Sequence, residues 1–173
     1  MKMHRLLLAM SFLLLTTLSQ AQTIDEIVKE WERAKAYTKE YLDAMPESGY
    51  SLKPTPEMRS FAEQMLHLTD ADYAFVGTAS RQTPPVKDLE KTTTDKSKAN
   101  VTKLTLDGYD FVINSVKKMS PADFQTQIKL FGRFDMTKLT ALQKAFEHQT
   151  HHRGQATVYL RLAKVTPPNE KLF

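Results

Sequence analysis

The chain has 173 residues, with 24 Lys and Arg against 20 Asp and Glu, and it contains no cysteine. The missing thiols exclude disulfides, thiolate metal ligands and a nucleophilic cysteine, so any metal must be held by nitrogen and oxygen. No basic run is interleaved with aromatic residues, which argues against a nucleic-acid partner.

The first 21 residues read as a secretory signal peptide. Lys2 and Arg5 form a basic start, Leu6 to Leu18 an apolar run, and Ser19-Gln20-Ala21 a small-x-small cleavage site. The apolar run is too short for a membrane anchor, and a bacterial address outside the cytoplasm, periplasmic or secreted, is expected. Cleavage after Ala21 leaves residues 22–173 as a single domain, with 22 basic against 20 acidic residues. No later stretch has membrane-spanning length, so the mature chain is expected to be soluble and free of the membrane.

Four helical segments follow, with no convincing strand. Ile24, Ile27, Val28, Trp31, Ala34, Thr38, Tyr41, Leu42 and Met45 recur at helical spacing, predicting a first helix from about Thr23 to Met45 that Pro46 and Gly49 close. Thr55-Pro56-Glu57 predicts the start of a second helix, a cap residue followed by proline in the first turn. It runs to about Arg81 and buries Phe61, Met65, Leu68, Phe75 and Val76. Residues 82–98, with Pro84-Pro85 and a polar tract, are long for a bundle connection and fit a crossover. A third helix is expected from about Ser97 to Met119, and Phe124 to Phe134 as a short strand-like or turn segment. The fourth helix runs from about Thr137 to Ala163, before Pro167-Pro168. This pattern predicts an all-α protein, a four-helix bundle.

Three of the five histidines lie within His148-Gln-Thr-His151-His152-Arg153-Gly154-Gln155, inside the fourth helix. His148 and His152 are spaced i, i+4, which aims both rings one way, about a turn apart. At about 100° per residue they share a stripe with Ala141, Ala145, Gln155, Tyr159 and Leu162. Gln143, Glu147 and Arg161 fall opposite, with Gly154 beside them. The pair therefore faces inward, where neutral imidazoles need partners: either hydrogen bonds within the core or a metal ion. His67 stands on the shoulder of the apolar face of the second helix, near Gln64, Ala71 and Ala74. It reads as a structural histidine or, because facing bundle helices build metal sites from inward side chains, as a partner for the pair.

The segment Thr55-Pro56-Glu57-Met58-Arg59-Ser60-Phe61, His67-Leu68, and the element His148-x-x-x-His152-Arg153-Gly154-Gln155 together resemble the DinB family of bacterial metalloproteins, over about residues 23–165. The resemblance implies a bundle of up-down-down-up course, often a homodimer. It also implies a divalent ion, zinc or nickel, on His67, His148 and His152. Some relatives are thiol-dependent transferases or isomerases, so a low-molecular-weight thiol is implied as a cofactor; the signal peptide departs from that picture, since such thiols are chiefly cytoplasmic.

The neighbours of the motif read as follows. His151 is a substitute ligand, a proton shuttle at the pocket edge, or a solvated or outer residue, and it is the one candidate for a catalytic base. Gln155 bonds a neighbouring helix or orients an imidazole, and Arg153 meets a substrate carboxylate, packs or makes a surface salt bridge. Asp72, between Leu68 and Phe75, is a buried salt-bridge partner or an extra carboxylate near the metal. Tyr159 is core with its hydroxyl bonded. The functions open to such a chain are a metal-dependent transferase or hydrolase on a small-molecule substrate, a non-catalytic metal-binding protein, and a helical interaction module.

Overall fold

Side-chain caps open each of the four long helices found among the described residues, 22–173, of the computed structural model; the expected signal peptide lies outside the described residues. Thr23 Oγ1 accepts the Glu26 amide at 3.1 Å while the Glu26 carboxylate accepts the Thr23 N–H at 2.8 Å, opening α1 (Ile24–Ala44). Ser60 and Glu63 make the same reciprocal pair at the head of α2 (Phe61–Ser80). Ser97 caps α3 (Lys98–Lys117) and Thr137 caps α4 (Lys138–Leu162). Each cap contributes about 1 kcal/mol by satisfying amides that the helix itself leaves free.

Helix α2 starts later than its Thr-Pro-Glu signal suggests. Thr55 to Met58 form a turn instead, closed by the Met58 amide on the Thr55 carbonyl at 3.1 Å. Proline suits the second position of such a turn as well as the first turn of a helix, so the signal is ambiguous. The segment expected at 124–134 as strand-like or turn is a hairpin that extends to Thr137, so the chain does contain strands. A 3-10 turn, Pro121–Gln125, leads into β1 (Gln127–Leu130) and β2 (Phe134–Thr137), an antiparallel pair with Gln127 opposite Thr137 and Leu130 opposite Phe134. Phe131 and Gly132 turn the hairpin in left-handed conformation, with φ of 53° and 71°.

Side-chain contacts set the course of the bundle. Lys117 reaches Glu32 and Lys98 donates to the Asp43 carbonyl, so α1 and α3 are antiparallel. Tyr73 on Phe111 and Thr69 beside Gly108 make α2 parallel to α3. Phe61 on Tyr159 and Phe75 near His148 make α2 antiparallel to α4. The order is up-down-down-up, with α1 and α2 each packed between α3 and α4. Joining two parallel helices requires the link after Ser80 to run back along the molecule. That link carries one helical turn, Leu89–Thr92, which docks on α2 through the buried Leu89.

The core divides into two apolar clusters. One gathers Trp31, Leu68, Val112, Val116, Leu142 and Ala145; the other gathers Tyr41, Leu42, Phe61, Met65, Leu66 and Leu160. Between them lies a polar waist. Thr38 Oγ1 and Tyr109 Oη are 2.7 Å apart, and Gln149 Oε1 accepts from Tyr109 Oη and from Arg153 Nη1, both at 2.9 Å. The Arg153 guanidinium stacks 4.6 Å from the centre of the Tyr37 ring. Leu162, placed on the inward stripe by its angle, is 47 % exposed because the buried face of α4 is centred further round, on Leu142, Gln149, Ala156 and Leu160.

Gly108 permits the close approach of α3 to α2: a Cβ at this position would lie 2.5 Å from Thr69 Cγ2. Gly108→Ala is expected to push the helices apart and cost about 1–3 kcal/mol in urea unfolding. Gly154→Ala, where nothing lies within 4 Å of an added Cβ, should leave stability unchanged or slightly higher.

Candidate metal centre

The polar waist opens on one side into a cluster of imidazoles. Because α2 and α4 run antiparallel, the mid-point of α2 faces the histidine segment of α4. His67 lies 5.4 Å from His148 and 4.7 Å from His152, between ring centres, and the α4 pair is 4.3 Å apart. One nitrogen of each ring falls within 4.8 Å of the other two, close enough for all three to share an ion. His151 stays outside this group. It is exposed on the rim, and its ring stands edge-on to His152 at 5.1 Å.

Burial favours neutral rings. Desolvation, reinforced by the neighbouring imidazoles, pushes His148 down to about 4 and His152 down to about 3 from an ordinary 6.5. Neutral imidazole is the form that donates a lone pair to a metal. The outer nitrogens are held unequally. Glu90 Oε2 lies 3.1 Å from His67 Nδ1, and the Gln64 amide lies 2.8 Å from His152 Nδ1. His148 Nδ1 is buried without a hydrogen-bond partner.

Glu90 reaches the site from the link, and its placement is built from α2. Asp70, one turn after His67, accepts the amides of Leu89 at 2.7 Å and Glu90 at 2.8 Å, fixing the start of the helical turn. Arg59 Nε donates to Glu90 Oε1 at 2.7 Å. Both oxygens of Glu90 are therefore engaged, one by a guanidinium and one by an imidazole. Nothing in the sequence singles out Glu90, since the return of the link onto α2 is a tertiary event; Asp70 carried a faint signal in its i, i+3 spacing from His67.

Gln155 bonds the Gln64 side chain and, at 2.8 Å, His151 Nε2, so it reaches His152 only through Gln64. Arg153 packs in the waist. Tyr159 is buried, its hydroxyl donating to the Arg59 carbonyl at 2.8 Å. Asp72 makes neither the ion pair nor the metal contact considered for it: fully buried, it has no partner for either oxygen, and desolvation holds its carboxyl well above the usual range. No helix among the described residues is long and apolar enough to cross a membrane.

The family model of the DinB family matches residues 18–172. The chain belongs to the DinB family. Solved structures agree on the fold. A DinB-like protein from Bacillus cereus superposes with a TM-score of 0.73 at 21% identity, covering 87% of this chain and 99% of that one. A DinB-like protein from Bacillus subtilis gives 0.67 at 23% identity, covering 86% and 96%. No curated protein matches the chain. At these identities the likeness of the DinB structures is one of fold.

Two of the imidazoles tie stability to acidity. Their folded values lie below the ordinary 6.5, so their contribution is fully present above that pH and is lost as pH falls through about 4 and about 3. The metal-free protein should thus lose more stability between pH 7 and pH 4 than its His148→Gln/His152→Gln variant. Urea midpoints of both proteins across that range check the difference.

Proposed function

We propose that this DinB protein is an exported metal-dependent enzyme of transferase or hydrolase type, holding one divalent ion, zinc or nickel, on His67, His148 and His152. The observation that carries the reading is the convergence of three imidazoles from two helices within 4.8 Å, with the α4 pair held neutral by burial. An all-nitrogen set suits zinc or nickel, and three protein ligands leave a position for water, a small-molecule substrate or a low-molecular-weight thiol. When bound, such an ion supplies Lewis acidity and lowers the pKa of a coordinated water or thiol toward neutrality.

The chain's own residues would orient the donors. His67 and His152 have Nδ1 engaged, which leaves Nε2 of each as the donor atom. An Nε2 donor carries its proton on Nδ1. Glu90 Oε2 accepts a hydrogen bond from that N–H of His67, the carboxylate–histidine arrangement that fixes a tautomer and raises ligand basicity. Gln64 serves His152 in the same way once its amide presents oxygen to the ring; Gln155 must then turn as well, so that its Nε2 donates to Gln64 and its Oε1 accepts from His151. His151 connects to His152 only through Gln155 and Gln64, so a proton held there sits at the rim.

Metal analysis of protein purified without an affinity tag should find one zinc or nickel per chain. Alanine at His148 or His152 should abolish stoichiometric binding, and alanine at His151 should keep it. Glu90→Ala should weaken metal affinity about 10- to 100-fold in chelator competition, as expected for loss of an outer carboxylate. Full metal retention by the His152 variant, or a metal-free wild-type protein, would overturn the reading.

A further inference from the structure

Resting on the metal reading above, we propose that the cleft beside His67 is a binding site for the apolar body of a small molecule whose head donates oxygen or sulfur to the ion. The cleft, of about 670 Å³, is within the size range of ligand pockets. His67 stands at one end. Ala71, Ala74 and Thr78 continue along the same face of α2 as the floor, so the groove is open because these side chains are short.

Its walls come from two separate segments. Val86 on the link and Phe131 at the hairpin tip both line the space, and they are 39 % and 48 % exposed, large apolar side chains left facing a cavity. Phe131 stands edge-on to Phe75 at 5.0 Å, and Phe75 lies 5.9 Å from His148, so the hairpin wall is continuous with the metal centre. At the far end Pro84 closes the groove over Gly77, where an added Cβ would sit 3.1 Å from Pro84 Cγ.

The charges near the ion end are already answered. Both oxygens of Asp70 hold backbone amides, and Arg59 is paired with Glu90. Lys87, Asp88 and Lys91 line the link side of the cleft, whereas an aliphatic or aryl body lying along α2 would cover Ala71, Ala74 and Phe131. At about 1.5 Å of rise per residue, Ala74 lies about 10 Å beyond His67 along the axis. A chain of about six atoms from a metal-bound head spans much of that distance.

Acetohydroxamate and hexanohydroxamate share one metal-binding head and differ only in tail length. Titration calorimetry on the zinc-loaded protein should show the longer compound binding at least about tenfold more tightly, since each buried methylene adds to affinity. Ala74→Trp, at an exposed floor position, should remove that gain while leaving acetohydroxamate within about threefold of wild type; Phe131→Ala should reduce the gain. Equal affinity for the two compounds would overturn the cleft assignment and leave the metal reading standing. A gain that survives both substitutions would place the tail elsewhere and overturn it too. Failure to retain zinc, or failure of a zinc-loaded protein to bind either compound, would instead strike the metal centre or its open position, and the proposal would fall with it.

Discussion

The register of α2 against α4 is the constraint on which the candidate centre depends. Phe61 on Tyr159 below the histidines and Phe75 beside His148 above them pin the two helices along their length. With these contacts made, His67 has no choice but to meet the i, i+4 pair. Moving α2 by one turn would slide His67 by about 5 Å and bring it opposite apolar residues. The two apolar clusters thus act together as a jig, and the polar waist between them is where the jig places its three imidazoles.

Keeping that waist polar is costly, and the protein offsets the cost unevenly. Gln149 is fully buried, yet its carbonyl oxygen takes two donors, and Arg153 rests on an aromatic face. His67 and His152 have outer partners. Asp72 and His148 Nδ1 have none, and unpaired buried polar atoms are destabilising wherever they occur. The fold is therefore stable in spite of its centre, held by the clusters on either side. Such residues persist in places where local stability yields to another demand.

Much of this was legible from residue spacing. The long helices, the inward aim of His148 and His152, and the burial of Tyr159 all follow from periodicity and caps. The start of α2 was missed although Ser60-x-x-Glu63 is a capping signature, because Thr55-Pro56-Glu57 offers an equally valid helix start five residues earlier. The strand-like segment expected at 124–134 stayed unresolved into a hairpin because two four-residue strands are too short for alternation to show. Leu162 misled for another reason: the stripe was centred on the histidines, whereas the buried face of α4 is centred further round, on Leu142, Gln149, Ala156 and Leu160. Glu90 and the hairpin wall around Phe131 come from segments distant in sequence that fold back onto α2, and no local pattern records such a return.

The pairing of α1 and α2 with the same two later helices governs the order in which the chain can assemble. Neither of the first two helices finds its main partner in the other, so the apolar faces carrying Trp31, Leu42, Phe61 and Leu66 wait for α3 and α4. A ribosome delivers the N-terminus first, and everything up to Ser80 emerges before any surface able to cover it. Contacts of this bundle are accordingly long-range for a helical protein, which slows folding relative to simple helical hairpins. The nascent half-chain keeps these apolar faces uncovered, and the closing of the crossover is the event that buries them.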